Sequence, residues 1–235
     1  ASTHPAFPLG TTFYYDVEKG RLEGCSDALL NKCFLEDIAI VLEKGKSKIV
    51  HHSFEVGSIT AFIELIPAQF HLAIYGDNYD IYPMLDMAKV LDWEVSLVGN
   101  IQKIEKEKLL GIRQLFQKEL PERPSIDDRT AVVLMAHDFK TDVNNLKILL
   151  DSPAGYIGLL GPKKRYDKIL AEFKEEGIAL TPFDLQRIHA PAGLEIGANS
   201  PEEIAASIFT EILSVFSGTT GGKLRTKKGP IHERE

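Results

Sequence analysis

The chain has 235 residues, 44% of them hydrophobic and 26% charged, enough apolar content to bury one large core or two small ones. Its formal charge of −7 argues against the globally basic surface of a nucleic-acid binder. No apolar run approaches the roughly 18 residues of a transmembrane helix, and Ala1-Ser2-Thr3-His4-Pro5 lacks the basic and apolar regions of a secretory leader, so a cytoplasmic protein away from any membrane is expected.

Residues 1–67 read as a small α+β unit. Thr12-Phe13-Tyr14-Tyr15 predicts a strand, closed by a turn at Glu18-Lys19-Gly20. Ser26 stands where it can cap a helix whose Leu30, Phe34, Ile38 and Val41 share a face, with Gly45 just past its end. Lys48 to Phe54 predicts a second strand, and Ile59, Ala61, Ile63 and Leu65 alternate with Thr60, Phe62 and Glu64 as in a third. Cys25 and Cys33, if one helix carried both, would lie about 12 Å apart, too far for a disulfide. They read as two reduced thiols.

From 68 to 217 the pattern becomes strand, loop, helix, repeated. Strands are expected near 70–75, 94–98, 130–136 and 155–160, with a charged, poorly patterned stretch at 101–129. Helices are marked by Ile81, Leu85, Ala88 and Leu91, by Val143, Leu146, Leu149 and Leu150, and by Tyr166, Ile169, Leu170 and Phe173, with Gly177 beyond. This alternation predicts an α/β domain with a Rossmann-like parallel sheet covered by helices on both faces. Thr181-Pro182 starts a short helix, and Ser200-Pro201-Glu202-Glu203 combines an N-cap, a first-turn proline and the glutamate of a capping box. Residues 218–235 form a Gly-, Thr- and Lys-rich tail with no core pattern, either disordered or an arm on a partner subunit.

Two loops and three isolated residues carry candidate chemistry. Gly76-Asp77-Asn78-Tyr79-Asp80 joins a strand to a helix where a dinucleotide fold places its glycine-rich turn, and Gly76 can supply that turn. Asn78 stands at the second glycine position, Asp77 brings a negative charge to a phosphate position, and Val98-Gly99-Asn100 offers no carboxylate for a ribose. Three mismatches favour a turn that does not bind NAD(P) tightly. Gly158-Leu159-Leu160-Gly161-Pro162-Lys163-Lys164-Arg165 leads from a strand into a helix. Its three cations crowd a helix start, where the dipole disfavours them. They are either an anion site, with Gly158 and Gly161 allowing close backbone approach, or a solvated basic turn. His137 and Asp138, at the end of an expected parallel strand, either face the ligand crevice or start the next helix. Cys33 reads either as a small buried hydrophobe or as a thiolate for a soft metal. His51 and His52 point to opposite sides of a strand and cannot share a metal.

Several stretches together resemble the XdhC/CoxI family. They are Val132-Val133-Leu134-Met135-Ala136-His137-Asp138, Tyr156-Ile157-Gly158-Leu159-Leu160-Gly161-Pro162-Lys163-Lys164, and Ala190-Pro191-Ala192-Gly193-Leu194-Glu195-Ile196-Gly197-Ala198 running into Ser200-Pro201-Glu202-Glu203-Ile204-Ala205. Cys33-Phe34-Leu35-Glu36 is similar, more loosely, to the family's cysteine segment. The resemblance implies a homodimeric accessory protein, not itself an enzyme, that binds molybdenum cofactor (molybdopterin) and delivers it to a xanthine-dehydrogenase-type molybdoenzyme. It also implies that Cys33 is the candidate molybdenum ligand. Gly76, His137, Asp138, Gly158, Gly161, Lys163, Lys164 and Arg165 are then the candidate cofactor-binding set. The chain departs from the family pattern in four places: Asn31-Lys32 replaces a glycine pair before Cys33, Ser58 stands at a second cysteine position, Ala136 replaces a threonine, and the glycine-rich turn at Gly76 is broken. The alternatives are an NAD(P)-dependent oxidoreductase built on the Rossmann-like half and a paralogue that has lost ligand binding.

Overall fold

The computed structural model describes residues 1–17, 19–66 and 69–229. Glu18 of the first turn, the expected boundary at 67–68 and the tail segment 230–235 lie outside the described residues. The chain divides into two compact units, Ala1–Ala68 and Gln69–Glu235.

In the first unit, β1 (Tyr14–Asp16) pairs antiparallel with β2 (Arg21–Glu23). Helix α1 (Ala28–Lys44) follows, then a hairpin of β3 (Lys48–Phe54) and β4 (Gly57–Ile63). The helix is capped by Asp27 rather than by Ser26: the Asp27 carboxylate accepts the Leu30 N–H at 2.9 Å. Both residue types cap well, so sequence alone leaves a one-residue ambiguity that local geometry resolves. Leu30, Phe34, Ile38 and Val41 are all buried, and Gly45 ends the helix in the left-handed conformation its position requires. Leu30, Phe34 and Ile38 pack with Phe7, Leu22, Val50 and Ile59 into the unit's own core.

The second unit is built on six parallel strands. In chain order these are β5 (His71–Tyr75), β6 (Glu94–Gly99), β7 (Gln114–Gln117), β8 (Thr130–Leu134), β9 (Tyr156–Leu159) and β10 (Ile188–His189). Their spatial order is β10-β9-β8-β5-β6-β7, which is the doubly wound Rossmann order with β5 and β8 adjacent at its centre. The expected strands are present with ends within two residues. Two more, β7 and β10, were not expected. β7 lies inside the charged stretch and β10 follows the helix capped by Thr181.

Alternation along the buried strands sorts the core into two layers. Leu72, Ile74, Leu97, Ala131 and Val133 face α2 (Ile81–Val90) and α6 (Pro201–Phe216). Ala73, Tyr75, Val98, Val132 and Leu134 face α3 (Phe139–Leu150) and α4 (Lys163–Glu175). The short α5 (Pro182–Arg187) and α6 both start in full capping boxes, on Thr181 with Asp184 and on Ser200 with Glu203. Burial of these apolar faces, at roughly 25 cal/mol per Å², is what orders the strand ends that carry the polar residues.

Candidate functional site

In a doubly wound sheet the chain leaves neighbouring strands in opposite directions where the strand order reverses, and the gap so formed is the usual ligand crevice. Here that point lies between β5 and β8, so two loops meet there: 76–80, leading into α2, and 135–138, leading into α3. Gly76 has no positive φ. Its N–H continues the sheet, donating to the Val98 carbonyl at 2.9 Å. A side chain there would sit 2.6 Å from the Met135 carbonyl oxygen, and one at Gly99 would sit 2.6 Å from the Gly76 carbonyl. These glycines let three strand ends pack against each other.

The residues after Gly76 turn their acids inward. The Asp77 carboxylate is largely buried, accepts the Asn100 N–H at 2.9 Å and lies 3.4 Å from Lys118 Nζ and 4.0 Å from Lys103 Nζ. An internal anion is thus held by two lysines and a backbone N–H. Asp80 precedes α2 without capping it; its Oδ2 pairs with His137 Nε2, while its Oδ1 is buried without a partner among the described residues. His137 adopts a left-handed backbone with φ of 60°, a conformation that costs a non-glycine residue on the order of 1 kcal/mol. That kink turns the chain out of β8. Asp138 then caps α3, its Oδ2 accepting from the Thr141 N–H at 2.8 Å and hydroxyl at 2.6 Å, which holds its carboxyl below the ordinary value.

A crevice of about 320 Å³ opens at the ends of β5, β6 and β7 beneath α3. Tyr75, Gly76, Val98, Gly99 and Ala136 form its inner wall, and Asp138, Thr141, Asn144, Asn145 and Ile148 come from one face of α3 at helical spacing. Asp77, Lys118, Glu119 and Arg123 close the remaining side. Arg123 is bound to its own loop, Nη1 donating to the carbonyls of Leu120 and Glu122 and Nη2 to that of Lys118.

Of the candidate cofactor residues, Gly76 and Asp138 line this crevice; His137 pairs with Asp80, and neither of those two lines it. The others are elsewhere. Gly158 lies within β9, where its missing side chain makes room for the Tyr156 ring, so it offers no loop backbone to a ligand. Gly161 turns the chain with φ of 121°, and Pro162 is the N-cap of α4. Arg165 is spent on a buried acid: its Nη2 donates to Asp142 Oδ2 at 2.6 Å and its Nε at 3.2 Å. Asp142 also accepts the Ala136 N–H at 3.3 Å; burial pushes its carboxyl above the usual value, with Arg165 pulling against it. Lys163 and Lys164 are exposed.

Cys33 is half-buried on α1 in the first unit, and the hollow beside α1 is lined by Cys25, Asn31, Leu35 and Glu36 but not by Cys33. Among the described residues no three His, Cys, Asp or Glu side chains gather as a metal site. His52 is taken up by Asp37 at 2.7 Å, and His51 by Thr60 at 2.9 Å. Sequence reasoning missed Tyr75, Lys118, Arg123, Thr141, Asn144 and Asn145. The polar stripe of α3 was the one available signal.

Residues 72–212 match the family model of the XdhC Rossmann domain. Among curated proteins, the chain is 35% identical over 89 residues to the uncharacterized protein YqeB of Escherichia coli (strain K12), covering 38% of this chain and 16% of that one. It is 25% identical over 159 residues to a probable xanthine dehydrogenase subunit of Bacillus subtilis (strain 168), covering 65% of this chain and 44% of that one. The chain thus spans less than half the length of either curated relative. A solved structure of a xanthine dehydrogenase from Bacillus halodurans superposes with a TM-score of 0.56 at 22% identity, over 86% of this chain and 68% of that one, a likeness of fold.

Proposed function

The chain belongs to the XdhC family, and from that premise we propose that it serves a xanthine-dehydrogenase-type enzyme as an accessory protein, binding molybdenum cofactor and passing it to that enzyme. The name of the Bacillus subtilis relative supports the link to xanthine dehydrogenase. The observation that carries a ligand-handling role is the crevice at the β5–β8 switch point, floored by small residues and rimmed by carboxamides and a carboxylate.

The same crevice argues against an oxidoreductase working through NAD(P). Asp77 puts a carboxylate, already paired with Lys118, where a pyrophosphate needs backbone N–H groups. At the end of β6, Asn100 stands in place of the ribose-binding acid, and its N–H is taken by Asp77. The chain's own part in delivery is to bind and orient its cargo and to shield it from water; molybdenum chemistry belongs to the cargo.

The test is to produce a xanthine-dehydrogenase-type enzyme with and without this protein and to measure molybdenum and molybdopterin per enzyme. Higher content when the protein is present is expected. Equal content in both preparations contradicts the reading.

A further inference from the structure

The β3–β4 hairpin has one covered edge and one open edge. Residues 1–3 lie along β4: the Thr3 N–H donates to the Ser58 carbonyl at 2.9 Å, the Thr60 N–H donates to the Ala1 carbonyl at 2.6 Å, and Ser2 bridges to Ile59. Ser58 and Thr60 therefore turn their backbone groups outward, while Ile59 and Ala61 turn theirs towards β3. The register sets Ile59 opposite His52 and Ala61 opposite Val50. Along β3, then, Val50, His52 and Phe54 bond to β4, and Ile49, His51 and Ser53 point their N–H and carbonyl groups away from it. Among the described residues nothing takes those outward groups.

The open edge also lacks the devices that keep free strands apart. From Ile49 to Phe54 there is no proline, no Lys, Arg, Asp or Glu, and no bulge in the pairing. Lys48, at the start of the strand, is turned to Asp37 at 3.8 Å. Ile49, His51 and Ser53 share the exposed face, where Ile49, 59% exposed, stands opposite Phe62, 62% exposed. Charge is placed at the two ends instead: exposed Lys46 precedes the strand and exposed Glu55 follows it.

We propose that this edge is an interface between two copies of the chain, β3 pairing antiparallel with β3 of the second copy about a twofold axis at His51. In that register His51 stands opposite His51 and Ile49 opposite Ser53, so the outward groups of all three residues are taken. A slip of one residue sets outward groups against inward ones and leaves them unbonded. Antiparallel pairing also brings the basic end of each strand to the acidic end of the other, Lys46 beside Glu55 of the second copy. A copy of the same strand supplies both features by symmetry, which an unrelated extended segment does not. Edge pairing of this kind buries less than the roughly 1,200–2,000 Å² of a permanent interface, so the association is reversible. It stands independently of the crevice and of any cofactor.

Sedimentation of the full chain at rising concentration tests this, with a reversible monomer–dimer equilibrium as the expected result. His51→Pro removes an N–H that β4 does not use and sets a ring on the outer edge, so the hairpin persists while dimerisation weakens by about tenfold or more. Glu55→Lys should weaken the dimer by about threefold, and adding Lys46→Glu to it should restore the affinity, which mere damage to the hairpin would not allow. If His51→Pro disturbs folding, cross-linking gives a separate reading. On mild oxidation His51→Cys should join two copies, because facing residues of such a pair stand about 5.5 Å apart at Cα. Thr60→Cys, about 14 Å from its counterpart across three strand spacings, should not. The unaltered chain, with Cys25 and Cys33 in place, is the control. A monomer at every concentration up to about 1 mM leaves the edge to some other segment and overturns the proposal. A dimer that resists both His51→Pro and Glu55→Lys, or a His51→Cys variant that cross-links no better than Thr60→Cys, overturns it as well.

Discussion

The loop after β5 and the loop after β9 occupy equivalent places, each joining a buried strand to the start of a helix, and they settle their charges in opposite ways. The first brings acids to a position suited to anions and neutralises one of them internally, Asp77 lying against Lys118 and Lys103. The second brings cations to a helix start and sinks one of them, Arg165, into a buried acid on the neighbouring helix. From sequence, the basic loop read either as an anion site or as a solvated turn, and the acidic loop as a damaged dinucleotide turn. One acid of the first loop and one cation of the second are thus committed within the fold, while Lys163 and Lys164 stay exposed.

Substitutions can break this comparison from either side. The largest effect is expected at Asp142→Ala, which strands Arg165 and the Ala136 N–H around a site where the acid is 1% exposed. Removing one partner of such a pair should cost roughly 3 kcal/mol in urea unfolding, with Arg165 partly solvated; a loss near zero would mean that the ion pair does not anchor the second loop. Gly76→Ala should cost about 2 kcal/mol by the same measurement, because the added methyl meets the Met135 carbonyl. Asp77→Ser sharpens the contrast. It leaves Lys118, Lys103 and the Asn100 N–H around a vacated anion position, so stability should fall by about 1 kcal/mol at low salt and recover on adding sulfate. No sulfate response would show that the lysines merely bathe in solvent.

A pH titration separates the two acids further. Burial holds Asp142 above its ordinary 3.8, so the fold favours its protonated form. Stability from this group is therefore full at low pH and declines as pH rises through the interval above 3.8. Against Asp142→Asn, which cannot ionise, the unaltered protein should lose ground over that interval; a constant difference between the two would contradict the assignment. The smallest effect is expected for Lys163→Ala with Lys164→Ala. Removing exposed cations from the start of α4 should raise stability in urea unfolding by about a few tenths of a kcal/mol per charge at low salt.

The sheet was legible because its central strands are buried on both faces and their helices carry clear caps and apolar stripes. β7 was not. As an edge strand of four residues with its side chains half-exposed, it shows neither a hydrophobic run nor clean alternation, and it is hidden among charges. Lys118 and Arg123 follow it, so missing the strand meant missing their place at the crevice. Gly158 was misplaced because a glycine before a loop and a glycine that makes room within a strand look alike until Tyr156 is seen lying over it. Tyr75 was the least legible: nothing local distinguishes a core tyrosine from one whose hydroxyl opens onto a crevice, since that depends on which helix covers it. Asp138 and His137 were placed at the right strand end, but the capping bond and the left-handed turn that define their roles emerge only in three dimensions.

The central claim, that cofactor meets the crevice and not the basic loop, is tested most directly by the molybdopterin retained when the protein is purified from cells that make it. The unaltered chain should be compared with the Asn144→Ala, Asn145→Ala variant and the Lys163→Ala, Lys164→Ala variant. The account predicts that retention is lost in the first and unchanged in the second. Retention preserved in the first and lost in the second would contradict it.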